Sequence, residues 1–250
     1  MIIFSPHSDD VAFSIGGLLS KPQLPTTKVI TVFNKTTYLR DDLKRKTYSK
    51  DKISGIRELE DALFARACGL SHCNLDVLDS SLSGYDDYTE IVRDKKVSVL
   101  DDPRGFLVYR KVVSSIPKAY KNPIFFPLGL GNHVDHLLLL KVGQKIARDR
   151  NLTVVFYEDL PYAADFSEEE IYRLSKKRIN PSYVSISYDI SAVFDRKNKL
   201  GQIYESQICD DYFHGILTHA RRVGSRRFDF GERIWMPASH HNLSRLKLIL

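Results

Sequence analysis

The sequence predicts an α/β fold: a mainly parallel sheet with helices on its faces. Three observations lead there. Short apolar or β-branched runs, of the kind buried inside parallel sheets, recur along the chain ("IIF", "VITV", "IFF", "VVF"). Stretches with helical spacing of apolar residues separate them. Histidines or carboxylates stand after the first, third, fourth and fifth predicted strands (His7, Asp79, His133 and Glu158 among them), where ligands collect in sheets of this class.

Each element follows from its residues. "MIIFS" reads as a buried strand, followed by a helix over about 9–19. "KVITVF" (28–33) is a second strand. Residues 34–52 are polar and basic with no apolar period, which predicts a long loop. Over 53–70, Ile56, Leu59, Leu63 and Ala67 fall on one helical face, and Gly69 offers a C-cap. "LDVLD" (75–79) reads as the third strand and 108–116 as a helix. "PIFFPLG" (123–129) is the fourth strand, then a Gly-Asn turn and a helix over 133–148. Strands over 152–160 and 183–190 and a helix over 192–208 complete the pattern. The length of 250 residues fits one domain spanning the chain.

Composition narrows the function. A chain with 43% hydrophobic and 27% charged residues can bury a sizeable core. No apolar run approaches a membrane span, and no basic-then-apolar leader opens the sequence, so a cytoplasmic protein is expected. Cys68, Cys73 and Cys209 are odd in number and form no CxxC pair, which points to reduced thiols. The net charge of +6 is concentrated in residues 35–57 and 221–227. Such runs are usually solvated faces, and no aromatics interleave with them as a nucleic-acid platform requires.

The chemistry gathers at the strand ends. "HSDD" brings His7, Asp9 and Asp10 to the end of the first strand. "HVDH" brings His133, Asp135 and His136 to the start of the helix after the fourth. Imidazole nitrogen and carboxylate oxygen are zinc ligands, and two histidines and an aspartate leave a coordination position open. Each motif alone has a plainer explanation, since aspartate caps helices well. Parallel strands, however, put both on one rim of the sheet. Other classes fail on their motifs: no GxSxG surrounds Ser14, and "SIGG" falls inside a helix rather than at its start.

"SPHSDDVAFSIGG" resembles the first motif of the PIG-L/LmbE-like N-acetylglucosaminyl deacetylases, and "PLGLGNHVDH" resembles their second. "GIRELEDALFARACGL", "YEDLPYA" and "KLGQIYESQI" resemble further segments of that family, so the likeness covers most of the chain. It implies a Rossmann-like fold and hydrolysis of the N-acetyl group of a 2-acetamido sugar, giving acetate and a free amine. It implies zinc, with Fe2+ or another divalent ion as the alternative, held by His7, Asp10 and His136. It makes Asp9 the general base, His133 a charged histidine facing the oxyanion, and Asp135 the support of a neighbouring histidine. The sequence departs from the pattern at Ser8, usually Pro, and at Val11, often Glu; the latter removes an acid from the surroundings of the metal.

Arg57, Tyr85, Glu158 and Asp159 are the candidate substrate contacts, with Tyr162 a second aromatic wall. The plainer alternatives are a surface salt bridge of Arg57 with Glu60 or Asp61, and ordinary packing for the tyrosines. Trp235 reads as core, and His240 and His241 as surface residues. The expected partner is a small amino-sugar molecule, with no nucleic acid and no membrane span; a homo-oligomer is left open. Two rival readings share the fold: a non-catalytic metal- or carbohydrate-binding protein, and a zinc amidase with another N-acyl substrate. A binding protein would have no need of Asp9.

Overall fold

Seven strands form one sheet in the order β3-β2-β1-β4-β5-β7-β6. The computed structural model describes residues 1–21, 26–40, 43, 48–85, 102–225 and 227–239. His240 and His241, and parts of the basic segments at 35–57 and 221–227, lie outside the described residues. The strands are β1 (Ile2–Ser5), β2 (Lys28–Thr31), β3 (Ser71–Asn74), β4 (Ile124–Pro127), β5 (Val154–Tyr157), β6 (Tyr183–Asp189) and β7 (Gly231–Pro237). β1 pairs in parallel with β2 and β4, β2 with β3, and β4 with β5. β7 runs antiparallel to both β5 and β6. The parallel centre is flanked on both faces, so β1, β4 and β5 are buried at every position. The helices are α1 (Asp10–Leu19), α2 (Lys50–Cys68), α3 (Gly105–Ser115), α4 (Val134–Arg150), α5 (Glu168–Arg178), α6 (Phe194–Gly201) and α7 (Asp210–Gly224). Among the described residues, no helix is long and apolar enough to cross a membrane.

The third strand is "SHCN", not the more apolar "LDVLD". Lys28 to Thr31 of β2 register on Ser71 to Asn74, while residues 75–79 contribute only an isolated bridge between Leu78 and Lys35. An edge strand is chosen by its backbone partner, and hydrophobicity is a poor guide to it. Asp79 nevertheless ends beside the rim.

α2 is also turned from its expected face. Leu59 and Leu63 are 61% and 46% exposed, and the buried side carries Arg57, Glu60 and Asp61 with Ile53 and Phe64. The acids are buried because they are satisfied. Asp61 accepts from the Thr31 and Tyr204 hydroxyls, at 2.9 and 3.1 Å. Glu60 accepts from the Ser206 backbone N–H and hydroxyl, at 2.8 and 2.6 Å. Gly69 ends the helix in the left-handed conformation (φ 66°).

The helix expected over 192–208 stops at Gly201, and buried turns carrying Tyr204, Ser206 and Gln207 follow. α5, α7 and β7 lie outside the elements that the sequence predicts. α5 has a legible signal, the Ser167–Glu170 capping box.

α1 is kinked at Ile15 (φ −132°, ψ 22°). The N–H groups freed by the kink, Gly17 and Leu18, donate to the two carboxylate oxygens of Glu232 on β7 at 2.8 and 2.6 Å. Lys197 of α6 closes a buried ion pair with the same carboxylate at 2.5 Å. A Cβ at Gly17 would lie 2.9 Å from Ile190 Cδ1 and 3.0 Å from Glu232 Oε1, so glycine is required for this approach. The back half of α1, after the kink, is thereby anchored to β7.

Candidate active site

Parallel pairing brings the turns after β1, β4 and β5 to one rim. There, His7, Asp10 and His136 meet. Asp10 Oδ2 accepts the His7 backbone N–H at 2.7 Å, and lies 3.1 Å from His7 Nδ1 and 3.3 Å from His136 Nε2. His136 Nε2 is buried and makes no hydrogen bond. The second nitrogen of each imidazole is fixed by a carboxylate: His7 Nε2 by Asp135 Oδ2 at 3.0 Å, and His136 Nδ1 by Asp159 Oδ1 at 2.7 Å.

Buried carboxylates that orient imidazoles in this way are the usual outer support of metal ligands. The donor set therefore fits a divalent cation: two imidazole nitrogens, one without a partner, facing one carboxylate oxygen. His133 adds a third imidazole, and one ligand atom from each of His7, His133 and His136 can be chosen with all three within 4.8 Å of one another. Electrostatics agree. Burial opposes charge on His7, but Asp10 and Asp135 outweigh it and raise its pKa to about 9. His136 is raised against its burial to about 10 by Asp10 and Asp159. The acids thus make a place where positive charge is held.

Asp9 points elsewhere. Its Oδ1 meets Arg57 Nη2 at 3.4 Å, so the adjacent acids diverge from the turn. Burial raises the Asp9 pKa, Arg57 opposes this, and Asp10 adds to it. His133 caps α4, its Nδ1 accepting the Asp135 N–H at 3.3 Å. That bond leaves the ring hydrogen on Nε2. Burial and then the neighbouring His7 push its pKa well below 6.5. That direction runs against the charged histidine that the resemblance implies.

Asp135 spans β1 and β4. Besides His7 it accepts from Ser80 N at 3.0 Å and pairs through Oδ1 with Arg104 at 2.6 Å. Arg104 is buried and clamped by Asp102. No spacing in the sequence marks Arg104, because its partners come from other elements. Val11 is buried in the core, and the carboxylates that brace the two imidazoles are those of Asp135 and Asp159.

The candidate substrate contacts divide. Arg57 lines a cavity of about 330 Å³ together with His7, Asp9, Asp10 and His133, and pairs with Asp9 rather than at the helix surface. Tyr162 also lines it, its ring perpendicular to that of His136 at 5.5 Å. Tyr85, Glu158 and Asp159 are corrected. Tyr85 bonds Asp102 at 3.0 Å under Arg104, behind the cluster. Glu158 is buried among Arg233, His219 and Trp235. Asp159 lies beneath the cavity, bonded to His136 and to Leu130 N. Charged strand-end side chains can turn into the protein as readily as toward the rim, and here buried cations and N–H groups draw them inward. Trp235 is core, as expected. Ser14 accepts the Leu160 N–H.

Comparison with known proteins shows the family and the fold. Residues 2–147 match the PIG-L family, described as GlcNAc-PI de-N-acetylase. A 2'-N-acetylparomamine deacetylase of Streptomyces fradiae is 32% identical over 256 residues, covering 95% of this chain and 89% of that protein. Among solved structures, the zinc-inhibited form of a teicoplanin deacetylase superposes with a TM-score of 0.74 at 19% identity, covering 94% of this chain and 96% of the other. The N,N'-diacetylchitobiose deacetylase of Pyrococcus horikoshii superposes with a TM-score of 0.64 at 15% identity, covering 95% and 83%. At these identities the superpositions speak for the fold.

Proposed function

The chain belongs to the PIG-L family of deacetylases, and on that premise we propose that it acts as one domain hydrolysing the acetamide of a 2-acetamido sugar in a small glycoconjugate, releasing acetate and a free amine. The observation that carries this reading is the pair of buried imidazoles, His7 and His136, each fixed by a carboxylate and each facing Asp10 Oδ2. The 32% identical relative is named for an N-acetylated aminoglycoside, which favours an aminocyclitol glycoside as the substrate.

In this reading His7, Asp10 and His136 hold zinc, with iron(II) the other candidate. The ion supplies Lewis acidity and lowers the pKa of a water to about 7. Asp9 takes the proton from the attacking water and returns it to the leaving nitrogen; its buried, raised-pKa carboxyl suits that exchange. His133, neutral with its hydrogen on Nε2, donates to the carbonyl oxygen as charge develops there. Arg57 holds Asp9 in place. Tyr162 forms an aromatic wall beside the two histidines.

The test is amine release from 2'-N-acetylparomamine and from di-N-acetylchitobiose, before and after chelation and with zinc or iron(II) restored. Turnover that disappears with the metal and returns with it supports the reading. Undiminished turnover in the chelated protein, or none of either sugar in the metal-loaded protein, overturns it.

A further inference from the structure

The cavity is anionic in a chain that is cationic overall. Among the described residues, five carboxylates line it, Asp9, Asp10, Asp79, Asp165 and Asp211, against the one guanidinium of Arg57. A bound divalent cation and Arg57 together offset three of those five charges. Asp9 and Asp10 belong to the reacting centre, and Asp79 is buried with its Oδ1 accepting from Ser81 at 2.6 Å. Asp165 and Asp211 remain. Both are exposed, and neither has a hydrogen-bond or ion-pair partner among the described residues.

Their placement is built. Asp165 closes the short helical turn Tyr162–Asp165, and Asp211 stands in the first turn of α7. The two segments meet where a Cβ on Gly215 would lie only 3.3 Å from Ala164 Cβ. Gly215 is one helical turn after Asp211, and Ala164 is next to Asp165, so this contact sets the two carboxylates on one edge of the cavity. Arg222, farther along α7, bonds the Ala164 carbonyl at 3.0 Å and also the Phe166 carbonyl. It ties down the backbone on both sides of Asp165. Arg57, the cation lining the same cavity among the described residues, is 3% exposed and already pairs with Asp9, and its buried Nε has no acceptor. Arg57 is thus taken up by Asp9, and the cavity asks for positive charge at its edge.

We propose that Asp165 and Asp211 form a subsite for protonated amines on the part of the substrate that is not deacetylated, so that the enzyme selects a polyamino glycoside over a neutral or anionic N-acetyl sugar. The proposal rests on the deacetylation reading and deepens it. Tyr38, Tyr162 and Tyr212 supply aromatic wall for the sugar rings in the same cavity.

The test compares the wild type with Asp165→Asn/Asp211→Asn on 2'-N-acetylparomamine, whose remaining amines are protonated at neutral pH, and on uncharged di-N-acetylchitobiose. The double variant should lose about 30-fold in kcat/KM on the charged sugar, roughly fivefold for each exposed pair, and less than about twofold on the neutral one. Raising salt should lower kcat/KM on the charged sugar for the wild type and leave the variant unmoved. Equal losses on both sugars, or no loss on either, overturn the subsite. If wild type turns over neither sugar, the deacetylation reading fails, and calorimetry with paromamine then judges the edge alone. Salt-sensitive paromamine binding that the variant lacks upholds it, and equal binding by both proteins overturns it.

Discussion

Asp159 Oδ1 lies 2.7 Å from His136 Nδ1, with both side chains fully buried and Asp159 Oδ2 held by the Leu130 N–H. The contact fixes the ring so that Nε2 faces Asp10 and His7. An imidazole without this brace would sample other rotations and lose basicity.

Asp159→Asn should therefore weaken metal affinity about 10- to 100-fold while leaving the fold intact. Competition with a chelator of known affinity, alongside circular dichroism, measures both. Unchanged affinity would show that Asp159 serves packing alone.

Asp9→Asn should separate binding from chemistry. Metal content stays at the wild-type value, and kcat falls by about 10²- to 10⁴-fold, as loss of a general base predicts. A variant that turns over at the full rate would remove Asp9 from the proton transfer.

Glu158 predicts the acid limb of stability. Burial works against its charge, but His219 and Arg233 depress its pKa from 4.5 to about 2. A depressed folded value means stability that is fully present above pH 4.5 and is lost as the pH falls toward 2. The contribution at neutral pH is on the order of 3 kcal/mol. Denaturant titrations of Glu158→Gln should show a loss of that order at pH 7 and a much smaller one near pH 2. An equal loss at both would assign Glu158 a role independent of its charge.

Lys197→Met should cost about 3 kcal/mol or more, because it leaves the Glu232 carboxylate buried without its cation. Lys197→Met/Glu232→Gln should recover part of that loss, since no charge is stranded. Thermal melts of the two variants decide it; a double variant worse than the single would place the value of Glu232 wholly in its bonds to Gly17 and Leu18.

The strand-end cluster was legible in the sequence for a local reason. Strand, turn and helix start follow one another within residues 2–10 and again within 124–136, so position along the chain predicts position on the rim. What lay hidden depends on distant partners. The bond between Asp135 and His7 joins residues 128 apart, and Arg104 reaches Asp135 from a third element. Apolar periodicity chose the wrong face of α2, because the acids that turn inward there are satisfied by Thr31, Tyr204 and Ser206. Glu158 and Asp159 were placed correctly at a strand end, but pattern alone does not say which way a side chain turns.

The antiparallel pair β6 and β7, together with α7, has a consequence for how this catalyst can diversify. The family match ends at residue 147, before Asp165, Asp211 and the Glu232 anchor. The residues proposed for bond cleavage lie ahead of that boundary, and the two carboxylates proposed as the amine subsite lie past it. Grafting the region after β5 from a relative with another preference, with Asp159 retained, should exchange selectivity while leaving the hydrolytic step untouched. On the proposed roles, preference for a substrate's outer amines can then change past residue 147 while Asp159 keeps its hold on His136.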